Sequence, residues 1–146
     1  MDRNQGYRQT LYIIAAALAL VGLADAIYLT VEHLLGETAG CVITKGCADV
    51  LSSKYASVGP VPLAAAGAVA YFAAFSLAVL AALKYSRSEI FLTLLVQGMF
   101  GVTLWLVLLQ AFVLHAFCDY CLVSAAVTVL LTIVTLSAQL FLRNRS

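Results

Sequence analysis

Charge is what this chain has least of. Only 10% of its 146 residues are Asp, Glu, Lys or Arg, 64% are hydrophobic, and the mean hydropathy is +1.03. A soluble domain carries about a quarter charged residues. This chain cannot coat a water-facing surface, and a membrane is its natural solvent. A net charge of +1 leaves no basic footprint for nucleic acid. No glycine-rich phosphate loop, HExxH metal helix or GxSxG nucleophile elbow occurs. Cysteine is scarce as well, with Cys41, Cys47, Cys118 and Cys121 making up the whole set of 4.

What the chain does have is long apolar runs. Four of them, approximately 11–31, 62–83, 90–114 and 119–142, reach the ~20 residues that cross a bilayer. Backbone in lipid must satisfy its own hydrogen bonds, so these runs are helices. The chain therefore reads as an all-α membrane protein: one integral domain over 1–146, a four-transmembrane-helix bundle with an extended outer-face loop at 32–61. Within that loop Val50, Leu51 and Tyr55 recur at helical spacing, which predicts a short amphipathic helix on the membrane surface; ordinary loop packing accounts for the stripe almost as well. The "ADA" at 24–26, preceded by Arg3 and Arg8, resembles a signal-peptidase site, but the run exceeds a signal-peptide core and is read as a retained span.

Lys and Arg set the orientation. Arg3, Arg8, Lys84, Arg87, Arg143 and Arg145 fall on one side of such a bundle, Lys45 and Lys54 on the other. The excess marks the cytoplasmic side, so both termini are expected there. All four cysteines are then expected on the outer face, periplasmic, extracellular or lumenal, where disulfides persist.

Cys118-Asp119-Tyr120-Cys121 is a CxxC at the start of the fourth run. Positions i and i+3 share a helix face and come within disulfide reach. A helix N-terminus favours an anion and hence a thiolate, the nucleophile of disulfide exchange. A merely structural disulfide closing so short a loop would stabilise little. A four-cysteine zinc site suits two close pairs, and Cys41-x5-Cys47 is wide for one, so no metal site is assigned. Gly40 and Gly46 precede the loop cysteines and allow their backbone to move.

Together the pairs suggest a relay. An outer pair exchanges with a soluble thiol protein and passes electrons, through mixed disulfides, to a fixed pair at the lipid boundary. An acceptor there must itself live in lipid, and a quinone is the natural choice. The alternative is a non-enzymatic tetraspan scaffold or transporter with structural disulfides, though the chain shows no repeat symmetry or paired broken helices.

Several single residues carry two readings. Asp25 lies about 21 Å along the first span, still inside the apolar layer. An intramembrane carboxylate is functional by default, and this one either relays protons to a quinol or hydrogen-bonds Tyr28 or another helix. His115 is a base near the thiols or an interfacial polar tip. Tyr71 and Phe112 line an apolar pocket or simply pack. Trp105 is too far from Cys121 for ring contact. Gly67, Gly98 and Gly101 suit close helix approach.

The segments "GLADAIYLTVEH", "C-x5-C-xDVLSS", "GPVPLAAAGAVAYF" and "FCDYC", in this order, resemble the vitamin K epoxide reductase family in its bacterial and archaeal branch. The resemblance covers nearly the whole chain, and the order and spacing of the cysteines are its most specific part. It implies that Cys121 faces the quinone and that Cys118 is its outward-exchanging partner. Cys47 would attack Cys118, and Cys41 would exchange with the redox partner. Ser53 would sit near the active site, its hydroxyl bonding a quinone oxygen or a thiolate. The implied acceptor is a quinone of menaquinone, ubiquinone or phylloquinone type. Many bacterial members carry a fused thioredoxin-like domain; here a separate thioredoxin-like or Dsb-like extracytoplasmic protein is expected. Vertebrate members place an Asn and a Tyr where this chain aligns Leu63 and Ala125, a departure that favours reduction of a quinone over that of its epoxide.

Overall fold

The structure, a computed structural model, describes residues 2–35, 54, 57, 58 and 60–144. Its elements are α1 (Asp2–Leu35), a pair of two-residue strands β1 (Ser57–Val58) and β2 (Val61–Pro62), α2 (Leu63–Ala82), α3 (Ser86–Leu109), a π-helical turn (Gln110–Leu114) and α4 (Asp119–Arg143). Four of these segments are long and apolar enough to cross a membrane, the third being α3 continued through the π turn. The chain forms an all-α, four-helix membrane protein, as its hydropathy dictates. The surface helix expected after Cys47 lies outside the described residues; the strands β1 and β2, antiparallel with Val58 opposite Val61, have no forerunner in the sequence pattern.

The helices pack in cyclic order, α1 against α2 and α4, and α3 against α2 and α4. Small residues make the α1–α2 seam: Ala15, Ala19 and Ala26 on one side, Ala74, Ala78 and Ala81 on the other, all buried. With no water to expel, helices in lipid associate through close packing, and alanine at such spacing lets the backbones approach. The large apolar side chains point outward instead, Val69, Phe72, Leu94 and Trp105 among them, each more than half exposed to the lipid solvent. Thr128, Thr132 and Thr135, buried on α4, return their hydroxyls to carbonyls one turn back. That satisfies them within their own helix.

α1 is longer than its apolar run. At 34 residues it extends about 51 Å, beyond the ~30 Å hydrocarbon layer. The first turns carry Arg3 and Arg8 and continue the helix past the lipid, where hydropathy gives no sign of it. There Arg8 pairs with Glu89 of α3, and Tyr7 meets Phe141 of α4 with ring centroids 5.8 Å apart. The α2–α3 turn closes the same end. Lys84 sits at φ 72°, its N–H donating to the Ala81 carbonyl, while Tyr85 N–H reaches Leu80. This 6→1, 5→2 pattern terminates a helix, with lysine in a place glycine usually takes.

Candidate active site

The opposite end of the bundle holds the CxxC. The π turn ends at His115, whose φ of 50° swings the chain back toward α4. Histidine tolerates this left-handed region better than most side chains. Gln110 fixes the reversal. Its backbone carbonyl accepts from Ala116 N–H at 3.1 Å, and its side-chain carbonyl accepts from Cys118 N–H at 3.1 Å. Cys118 is thus the N-cap of α4, extended at φ −107°, with Cys121 one turn in.

The two thiols differ in exposure. Cys118 is fully buried, packed by Leu114, Ala116, Tyr120 and Cys121. Cys121 is half-buried; both are free thiols. The hydrogen bond from the Cys121 thiol draws Cys118 below the ordinary thiol range, to about 7. Burial opposes this; the backbone N–H groups of Cys121 and Tyr120 reinforce it, and the charge of Asp25 works against it. A helix N-terminus stabilises the thiolate that exchange chemistry needs. Tyr120 also meets Tyr28 of α1, ring centroids 5.2 Å apart and tilted 43°, which holds the CxxC against α1.

Cys121 opens on a cavity of about 420 Å³ lined by residues from all four helices. The volume is in the range of small-molecule sites. Its walls are mostly apolar: Leu63, Ala66, Gly67 and Ala70 from α2, Met99, Val102 and Leu106 from α3, Leu29 from α1. Polar groups converge at a few points, namely Asp25 and His33 on α1, Tyr71 on α2, Thr103 on α3, Gln110 in the π turn, and Ser124 and Thr128 on α4.

Tyr71 reaches across the bundle. Its hydroxyl takes a hydrogen bond from or gives one to Ser124 Oγ at 2.7 Å and Thr128 Oγ1 at 3.0 Å, and lies 3.0 Å from the Ser124 carbonyl. The ring can lie there only because α1 carries glycine at 22. A Cβ at that position would fall 2.3 Å from Tyr71 Cε1. Close approach is therefore made at Gly22, not where the sequence pointed. A methyl group at Gly98 or Gly101 would meet nothing within 4 Å, and one at Gly67 would meet only Ala26 at 3.9 Å. At Gly98 and Gly67 the missing side chain makes room for the cavity instead.

Of the expected site residues, the structure brings Cys118, Cys121 and Tyr71 together. Phe112 is 71% exposed and absent from the cavity wall. Gln110 takes the inward position, and a residue two further along a helix faces the other way. Cys41, Cys47 and Ser53 lie outside the described residues. Trp105 faces outward, 57% exposed. Sequence reasoning missed Gln110, Ser124 and Thr128. A signal existed for the last two: with Cys121 they stand at i, i+3 and i+7, one face of α4. Gln110 was readable as a polar residue late in an apolar span.

Among the described residues, no group of three or more His, Cys, Asp or Glu gathers as metal ligands. No curated protein matches the chain. The model of the vitamin K epoxide reductase family matches residues 13–136, from the first span to the last and across both sides of the cavity. The chain belongs to the vitamin K epoxide reductase family, and so to the membrane oxidoreductases.

Proposed function

We propose that this protein oxidises the thiols of a separate, extracytoplasmic thioredoxin-like partner and passes the two electrons to a quinone. The observation that carries it is the opening of Cys121 onto a largely apolar cavity inside the membrane-spanning bundle, with its neighbour Cys118 buried and disposed toward thiolate. In balance, a partner dithiol and a quinone become a partner disulfide and a hydroquinone. Two S–H bonds break, one S–S bond forms, and two O–H bonds form on the acceptor.

Cys41 exchanges with the partner, Cys47 with Cys118, and Cys121 faces the acceptor. Each transfer between thiols is a thiolate attack through a mixed disulfide. His33 near the end of α1 and Pro62 at the start of α2 both line the cavity with Cys121, so the chain enters and leaves the 36–56 region at the thiol end. That supports a loop pair within reach of the CxxC. Ser53 is assigned to the same neighbourhood. The Lys and Arg distribution supports a cytoplasmic Arg8–Glu89 end and thiols on the outer side.

The cavity fits a quinone by the chemistry of its wall. Apolar residues accept the ring and tail, while Tyr71, Ser124, Thr128 and Gln110 offer hydrogen bonds to carbonyl oxygens. These groups stand in for the polar residues that Leu63 and Ala125 lack; Leu63 lines the cavity, and Ser124 takes the place beside Ala125. Cys121→Ala is expected to abolish quinone reduction by purified protein supplied with a reduced dithiol, and retained turnover overturns the assignment. In a Cys121→Ser variant, a Cys47–Cys118 mixed disulfide should accumulate. Finding instead that all four cysteines can be replaced with loss of stability alone points to a non-enzymatic membrane scaffold.

A further inference from the structure

Moving two electrons from thiols to a quinone also moves two protons, and the cavity walls are mostly apolar. A group must take the proton from Cys121 and place one on the acceptor. The titratable residues lining the cavity are few: Asp25 and His33 from α1, Tyr71 from α2 and Cys121 from α4, with none from α3 and no Lys or Arg among the described residues. Cys118 adjoins Cys121 behind the wall. Tyr71 is held in its triad with Ser124 and Thr128. Cys121 is the proton's source, which leaves the α1 pair.

Asp25 has the geometry for the task. Its Oδ2 is buried and has no hydrogen-bond partner among the described residues. A carboxyl oxygen left so in an apolar wall is costly unless the site uses it. Its charge bears on Cys118, so it stands near the thiol pair. Asp25, Leu29 and His33 follow one another four apart along α1, and all three line the cavity. Two turns, roughly 12 Å, separate the carboxylate from the imidazole. His33 is exposed at the end of the helix, so this face leads from the cavity interior to its mouth.

We propose that Asp25 is the proton-transfer residue of the cavity, taking the Cys121 proton and delivering one to a quinone oxygen, with His33 at the mouth connecting that carboxylate to outer-face water. The inference rests on the thiol-to-quinone reading. As the Cys118–Cys121 S–S bond forms, two electrons leave for the acceptor. The Cys121 proton goes to the Asp25 carboxylate, and Asp25 returns it to one quinone oxygen. The Cys118 proton is released to outer-face water; the second quinone oxygen takes its equivalent back from water entering past His33, through Asp25. Thiols and acceptor together neither gain nor lose a proton.

The test is single-turnover reduction of a short-chain naphthoquinone by the reduced full chain in lipid nanodiscs. Asp25→Asn keeps size and polarity but cannot carry a proton, and should slow the step by about 10²-fold or more, the usual contribution of a positioned acid–base group. Asp25→Glu should recover most of that rate with a displaced pH profile. Reduction of the Cys118–Cys121 disulfide by a small dithiol delivers no proton to a quinone, so Asp25→Asn should slow it far less than it slows quinone reduction, although the lost charge near Cys118 will alter it somewhat. A merely structural aspartate would change both half-reactions alike. Asp25→Asn reducing the quinone within about threefold of wild type overturns the proposal. If wild type reduces the quinone and Cys121→Ala does not, the thiol-to-quinone reading survives that result; wild type that fails to reduce it overturns both. Should Asp25→Asn not fold, Asp25→Glu decides: a pH profile of quinone reduction displaced from that of wild type supports the relay, and one that superimposes on it overturns the proposal.

Discussion

The two ends of the bundle spend their polar residues differently. At the charged end cation meets anion: Arg8 pairs with Glu89, Lys84 reaches Gln5, and Gln139 ties α4 to Thr93 and to the Glu89 carbonyl. These contacts join α1, α3 and α4 across the bundle. At the thiol end Asp25 has no Lys or Arg beside it in the cavity wall among the described residues, and its Oδ2 meets no donor there. One end uses polarity to hold helices together. The other leaves one carboxylate oxygen facing a space. Polar atoms in an apolar medium are costly, so the second arrangement is the one that points to chemistry.

This contrast requires that damage to the two ends leave different signatures. The largest stability loss should come from Glu89→Ala, which leaves Arg8 without its partner; about 3 kcal/mol is expected for a pair this buried. Replacing both residues by Met should recover much of it. Thermal unfolding in detergent measures both variants, and quinone turnover per folded molecule should be unchanged. A turnover loss would show that the charged end takes part in the chemistry. Gly22→Val comes next. Its side chain would displace the Tyr71 ring, costing about 1–3 kcal/mol by overpacking, and quinone binding should weaken with it. Tyr71→Phe should be milder, about 1 kcal/mol from the lost hydroxyl contacts. Its mark is an altered affinity for the quinone with little change in unfolding. Smallest in energy is a titration. Ultraviolet absorbance should show the Cys118 thiolate forming through about pH 7, persisting above that and lost below it. In Cys121→Ala the midpoint should rise, because the hydrogen bond that lowers it is gone.

Much of this is legible in the sequence, for reasons that differ from element to element. The four spans are written in hydropathy because lipid demands apolar side chains on the outward faces. The CxxC is legible because three-residue spacing on a helix is local geometry. What hydropathy does not show is where a helix continues into water, and so α1 begins nine residues before its apolar run. Nor does it show the π turn at Gln110–Leu114, whose effect is to bring a side-chain carbonyl under the Cys118 amide. The placement of Tyr71 depends on an absent side chain 49 positions away, at Gly22; no local pattern encodes it. Residue type and proximity alone put Phe112 in the pocket, and the helix turns it toward lipid.

Between Leu63 and Tyr71, the stretch of wall that α2 lends the cavity, Ala64, Ala66, Gly67 and Ala70, is built from the smallest side chains there are. Its bore is therefore set by omission, and each methyl or methylene added at these four positions would be subtracted from the guest. A fold of this kind can trade one acceptor for a slimmer one by exchanging an alanine for a valine, while the sulfur chemistry next door stays as it is.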